Sequence, residues 1–76
     1  MNKVRRKSLQ DIAEQLEELK GSLEDIQTEE EEYRDNMPEN LQGSERYEKA
    51  EETVGNIEEA VSSLEDAIGS IEAAME

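Results

Sequence analysis

Two apolar stripes, each advancing alternately by three and four residues, constrain this chain more than any other feature. From Leu9 the steps land on Ile12, Leu16, Leu19, Leu23, Ile26, Glu30, Tyr33 and Met37, and only Glu30 is polar. From Tyr47 they land on Ala50, Val54, Ile57, Val61, Leu64, Ile68, Ile71 and Met75 without exception. Seventeen of the 25 hydrophobic residues therefore lie on two heptad seams, with Leu9 and Tyr47 as a positions. That spacing is the a/d stripe of a helix packed along its length against another. Composition alone would point elsewhere. With 39% charged residues, 33% hydrophobic residues and a net charge of -14, an unpatterned chain of 76 residues would stay disordered.

Between the seams lies NMPENLQG, residues 36 to 43, which holds the only proline, Pro38. Pro38 lacks a backbone donor and disfavours helix at Met37, while Asn36, Asn40 and Gly43 favour a turn. Ser44 suits the N-cap of a second helix, and Glu45 and Glu48 suit its positive end. The expected organisation is a single domain over 1–76, with a helix at about 3–35, a turn at 36–43 and a helix at about 44–75. So short a turn makes the helices antiparallel neighbours. Folding about residue 40 pairs residues whose numbers sum to 80, so Leu9 meets Ile71 and Leu16 meets Leu64. Tyr33 then meets Tyr47, and Glu30 faces Ala50, which leaves space for a carboxylate to bend outward. The fold class that follows is all-α, an antiparallel two-helix coiled-coil hairpin.

The flanking positions add orientation. The e positions of the first helix are Arg6, Ala13, Lys20, Gln27 and Arg34; those of the second are Glu51, Glu58, Glu65 and Glu72. This register sets Arg6 near Glu72 and Lys20 near Glu58, a match that a parallel pairing would lose. On the opposite flank Ser8, Gln15 and Ser22 face Ala74, Ala67 and Ala60. That flank is small and uncharged, so another helix can approach it closely. A lone hairpin buries too little to balance its ordering cost. Self-association through Ala60, Ala67 and Ala74, giving a dimer in the form of a four-helix bundle, is therefore expected.

Composition excludes several functions. There is no Cys for disulfides or thiolate chemistry, and no His to act as a base. Ser8, Ser22, Ser44, Ser62, Ser63 and Ser70 have no triad partners, and a two-helix rod offers no pocket to perturb its carboxylates. No nucleotide fingerprint is present. Neither an enzyme nor a cofactor or metal site is expected. No apolar run reaches the length of a membrane span and no secretory signal is present. The surface charge would repel bare nucleic acid and anionic lipid alike.

Two charge clusters remain as candidate sites. Lys3, Arg5, Arg6 and Lys7 are half of the basic residues. They would contact nucleic acid or an acidic partner, or, more plainly, offset Glu72 and Glu76 at the adjacent end of the second helix. Glu29 to Glu32 lack the spacing of a calcium loop and read first as a solvated helix face. The turn, however, gathers them with Asp35, Glu39, Glu45, Glu48, Glu51 and Glu52 at one end of the rod, around Met37 and Leu41. Such an end could occupy a basic groove on another protein. The expected partner-binding residues are Glu31, Glu32, Asp35, Met37, Leu41, Glu45 and Glu48, with Tyr33 and Tyr47 closing the core behind them.

The stretch DNMPENLQGSERYEKAEE at 35–52, with NIEEAVSSLEDAI after it, resembles a family of small acidic helical-hairpin proteins from phages and mobile elements of Gram-positive bacteria. The resemblance covers nearly the whole chain: a basic start, a Leu/Glu helix, an NMPENLQ-type turn and a Glu/Ala/Ile helix. It supplies no catalytic residue. It implies a phage-related setting, in the cytoplasm of a bacterial host cell, in which a small acidic protein inhibits a host defence or nucleic-acid-processing protein. The partner would then be a host protein with a basic surface. Alternative expectations are a structural or assembly component of phage replication or morphogenesis, and transcriptional regulation through MNKVRRK.

Overall fold

A computed structural model describes all 76 residues. Helix α1 runs Lys3–Asp35 and helix α2 runs Glu45–Met75, and they pack antiparallel into a rod of 60 × 14 × 13 Å. Each helix starts where a side chain can take up a free backbone donor. Asn2 Oδ1 accepts from the Arg5 amide at 2.8 Å, and Ser44 Oγ accepts from the Tyr47 amide at 3.3 Å. Between the helices a single 3-10 turn, Glu39–Leu41, reverses the chain without any residue in the left-handed region. The Leu41 amide donates to the Pro38 carbonyl, and both the amide and the hydroxyl of Ser44 donate to the Leu41 carbonyl. These bonds tie the turn together, and α2 starts as soon as the chain has reversed.

Only five side chains are buried: Ala13, Met37, Ala50, Val54 and Ile68. Three of them belong to the α2 seam, and the rest of that seam is half-buried. Helix α2 therefore packs through its a and d positions, as its spacing predicts. Helix α1 does not. Its d positions, Ile12, Leu19, Ile26 and Tyr33, are 46 to 58% exposed. The residues turned toward α2 are instead the a row, Leu9, Leu16, Leu23 and Glu30, and an e row of Ala13, Lys20, Gln27 and Arg34. Relative to the expected a-against-d pairing, α1 is rotated by about 50° on its own axis, half the ~100° between successive helical residues.

The cause lies in the e rows. Ala13 is small enough to let the helices close on each other, and Lys20, Gln27 and Arg34 can bury their stems while their polar ends reach solvent or α2. The acidic e row of α2 draws them in. Lys20 Nζ lies 3.7 Å from Glu65 Oε1 and 3.5 Å from Glu17 Oε2, and Gln27 Nε2 donates to Glu58 Oε1 at 3.2 Å. These contacts correct the expected register of the flank. Lys20 meets Glu65 instead of Glu58, and Arg6 donates from Nε to the Met75 carbonyl at 2.9 Å instead of pairing with Glu72. Side chains on a helix lean toward its N-terminus. In an antiparallel pair both leans move side-chain contacts along the partner in the same sense, away from the backbone register.

The end of the core also differs from expectation. Tyr33 does not close it, because its ring is exposed, whereas Met37 is buried and Tyr47 half-buried. Met37 lies on the row of Leu9, Leu16, Leu23 and Glu30, which faces inward in either pairing, so it stays inside while the rotation expels Tyr33.

Candidate interaction surfaces

The turn end carries the densest charge. Residues 29 to 52 contain ten acids and three bases, a net of -7 and so half the charge of the chain. Two causes bring them together: the reversal at 36–44 places the end of α1 beside the start of α2, and Glu45 and Glu48 occupy the positive end of the α2 dipole. Glu32, Asp35, Glu45 and Glu48 are exposed, and Glu31 is half-buried, accepting from Gln27 Nε2 at 3.1 Å. Leu41 stands exposed among them at 38%. Met37 is the exception in the expected set: it is buried, so it supports the surface from beneath and offers no contact of its own.

Bases interrupt the acids in an ordered way. Arg34 Nε is 3.0 Å from Asp35 Oδ1. That hydrogen bond raises the guanidinium's pKa above its ordinary value, against the opposing effect of burial and with help from Tyr47 and Glu31. Arg46 and Lys49, which form no ion pair, line an open concavity of about 690 Å³ with Glu30, Tyr33, Glu45, Glu48 and Glu52 above Ala50. The concavity is wide and open, lined mainly by charged residues, a shape suited to a side chain or loop from another protein more than to an enclosed small molecule. No group of three acids is arranged to hold a metal ion.

At the opposite end, Lys3 and Arg5 make no ion pair. Lys7 binds Asp11 one turn along α1 at 2.9 Å, and this hydrogen bond and its charge raise the ammonium's pKa. The basic end thus meets α2 through a carbonyl, that of Met75, and not through Glu72 or Glu76.

The long flank is the third surface. Ala60 and Ala74 are exposed and Ala67 is half-buried. The e rows meet on one side of the rod, so the g row of α2, with its alanines, lies on the other. The rotation of α1 brings Ile12, Leu19, Ile26 and Tyr33 to that same side, and Tyr33 shares a concavity with Arg46 and Lys49 of α2. Sequence reasoning missed these four residues because it assigned them to the core. The available signal was the α1 e row, which can face a partner as readily as the d row can.

The fold and these surfaces define an acidic α-helical hairpin in which no helix is long and apolar enough to cross a membrane. No family model, curated protein or solved structure matches the chain.

Proposed function

We propose that this protein is a non-enzymatic binding module whose turn end occupies a basic surface on another protein. One observation carries the reading: half of the net charge is concentrated, mostly on exposed side chains, around a turn that internal hydrogen bonds tie together. A preformed charged end raises the rate of encounter with an oppositely charged partner and opposes approach to nucleic acid or anionic lipid. The contact residues are Glu31, Glu32, Asp35, Leu41, Glu45 and Glu48, with Met37 as their support. The resemblance to proteins of phages and mobile elements adds the setting. The partner is a host defence or nucleic-acid-processing protein in the bacterial cytoplasm, and the hairpin inhibits it by covering a basic groove.

The test is capture from a lysate of a Gram-positive host, comparing the wild-type chain with a variant carrying Glu31→Lys, Glu32→Lys and Glu48→Lys. A protein retained by the wild type and released by salt should be lost with the variant, whose helicity should remain. Retention of the same protein by both would overturn the assignment of the turn end.

A second reading, a structural or assembly component, is favoured by the exposed row Ile12, Leu19, Ile26 and Tyr33. It requires oligomers that grow with concentration in light scattering.

A further inference from the structure

We infer that the face bearing Ile12, Leu19, Ile26 and Tyr33 is covered by a second copy of this chain, running antiparallel to the first. The inference goes beyond the binding role of the turn end and does not depend on it. Four large apolar side chains, spaced seven residues apart and about half exposed, form one continuous row along α1. At 1.5 Å per residue the row is roughly 31 Å long. Apolar rows of this length on small proteins mark interaction sites.

The identity of the occupant follows from charge. Beside the row, α1 contributes Ser8, Gln15, Ser22 and Glu29, and the g positions of α2 are Arg46, Thr53, Ala60, Ala67 and Ala74. The c positions beyond them are Lys49, Asn56, Ser63 and Ser70. In a chain with 22 acidic residues, these flanking positions carry a single acid, Glu29; the acids beside Tyr33, namely Glu30, Glu45, Glu48 and Glu52, lie at the turn end of the face. A basic partner would gain nothing from a face so depleted in acids. A second molecule of net charge -14, by contrast, can approach closely only where acids are missing. The area also fits: a face 60 Å long and 14 Å wide projects on the order of 800 Å², about what each partner contributes to an ordinary stable interface.

Charge sets the direction as well. Lys3 and Arg5 stand unpaired at one end of the rod, and the acids of residues 29 to 52 crowd the other. Two copies running in the same direction would place both acidic ends together. An antiparallel pair instead sets each basic end against the partner's acidic turn. With the two α1 rows facing, Leu19 of each copy meets Ile26 of the other and Ile12 meets Tyr33. The twofold axis then falls at Ser22 and Leu23, where a small side chain lets the helices come together.

Because the chain has no cysteine, the arrangement can be tested by single substitutions in the full-length protein. Sedimentation equilibrium of the wild type at micromolar concentrations should give a dimer. Leu19→Glu combined with Ile26→Glu should weaken it roughly 100-fold, as loss of central interface anchors does. Oxidised Ser22→Cys should form a covalent dimer and Ser8→Cys should not, a result that holds even if the double-Glu variant loses helicity. Lys3→Glu with Arg5→Glu should weaken the dimer at low salt and leave it unchanged at 1 M salt. A monomer at several hundred micromolar, cross-linking at Ser8→Cys in place of Ser22→Cys, or growth into larger polymers would each overturn the inference. The last of these would instead favour the assembly reading. The dimer is read by sedimentation and cross-linking of the purified chain and the turn-end proposal by capture of a host protein, so the two proposals fail separately.

Discussion

The two helices solve the same packing problem in different ways. Helix α2 places its a and d rows against α1, with Val54 and Ile68 each 5% exposed. Helix α1 has an equally regular a/d stripe, yet turns its a and e rows inward and leaves its d row outside. Seam regularity therefore does not decide which face a helix uses. What differs is the company of the seam: in α2 the e row is four glutamates, which desolvate poorly, whereas in α1 it is one alanine and long amphipathic stems. Attraction between the two e rows then settles the rotation.

Several substitutions would break or sharpen this contrast. The largest expected effect compares two residues on the same rung. Ile68→Ala should cost on the order of 2–4 kcal/mol, as truncation of a buried isoleucine does. Ile12→Ala, at 46% exposure, should cost less than about 1 kcal/mol in dilute solution, with urea denaturation followed by circular dichroism as the measurement. Equal costs would mean that both helices use a/d.

Next come the start signals. Ser44→Ala should destabilise the hairpin by about 1 kcal/mol because it removes the cap of α2 and the hydroxyl's bond to the Leu41 carbonyl, leaving only the backbone amide there. Asn2→Ala should cost less, since it caps a terminus that can fray on its own. The glycines predict gains of similar size on both helices. A Cβ added at Gly21 of α1 or at Gly69 of α2 meets nothing within 4 Å. Gly21→Ala and Gly69→Ala should each raise stability by up to about 1 kcal/mol, read as a shift in the urea midpoint.

The e-row attraction is tested by Lys20→Glu, which should lower Tm, and by Glu65→Lys in the same chain, which should restore part of the loss. A related effect, the smallest, lies in alkaline solution. Burial of the Lys20 ammonium lowers its pKa, but Glu17 and Glu65 outweigh that effect, and the folded value stands above the ordinary 10.5. A group whose pKa is raised by folding contributes fully below its unfolded value and loses its contribution as pH rises through the folded one. Stability should therefore fall slightly more steeply above pH 10.5 in the wild type than in Lys20→Met.

Much of this molecule is legible in its residues. The two seams, the lone Pro38 and the Ser44 cap lead to an antiparallel hairpin without reference to coordinates, and the acids around the turn can be gathered on paper. The rotation of α1 is not legible in the same way, because the Leu9 row can pair with either the Ile12 row or the Ala13 row. Which one wins depends on desolvation of Lys20 and Gln27 against Glu65 and Glu58, a balance that spacing does not contain. The pairing of Lys20 with Glu65 was missed for a simpler reason: backbone register is not side-chain register when both helices lean their side chains. The exposure of Tyr33 is a direct result of the rotation, which leaves the row of Met37 inside.

The bond from Arg6 to the Met75 carbonyl has a practical meaning. It fixes the first turn of α1 against the last turn of α2, so whatever is joined before residue 1 or after residue 76 emerges from one tip of a 60 Å rod. An affinity tag, a fluorophore or a fused domain at either terminus is thereby kept at a distance from the acidic turn. The hairpin works as a built-in spacer, and immobilising it by its ends presents the charged tip outward.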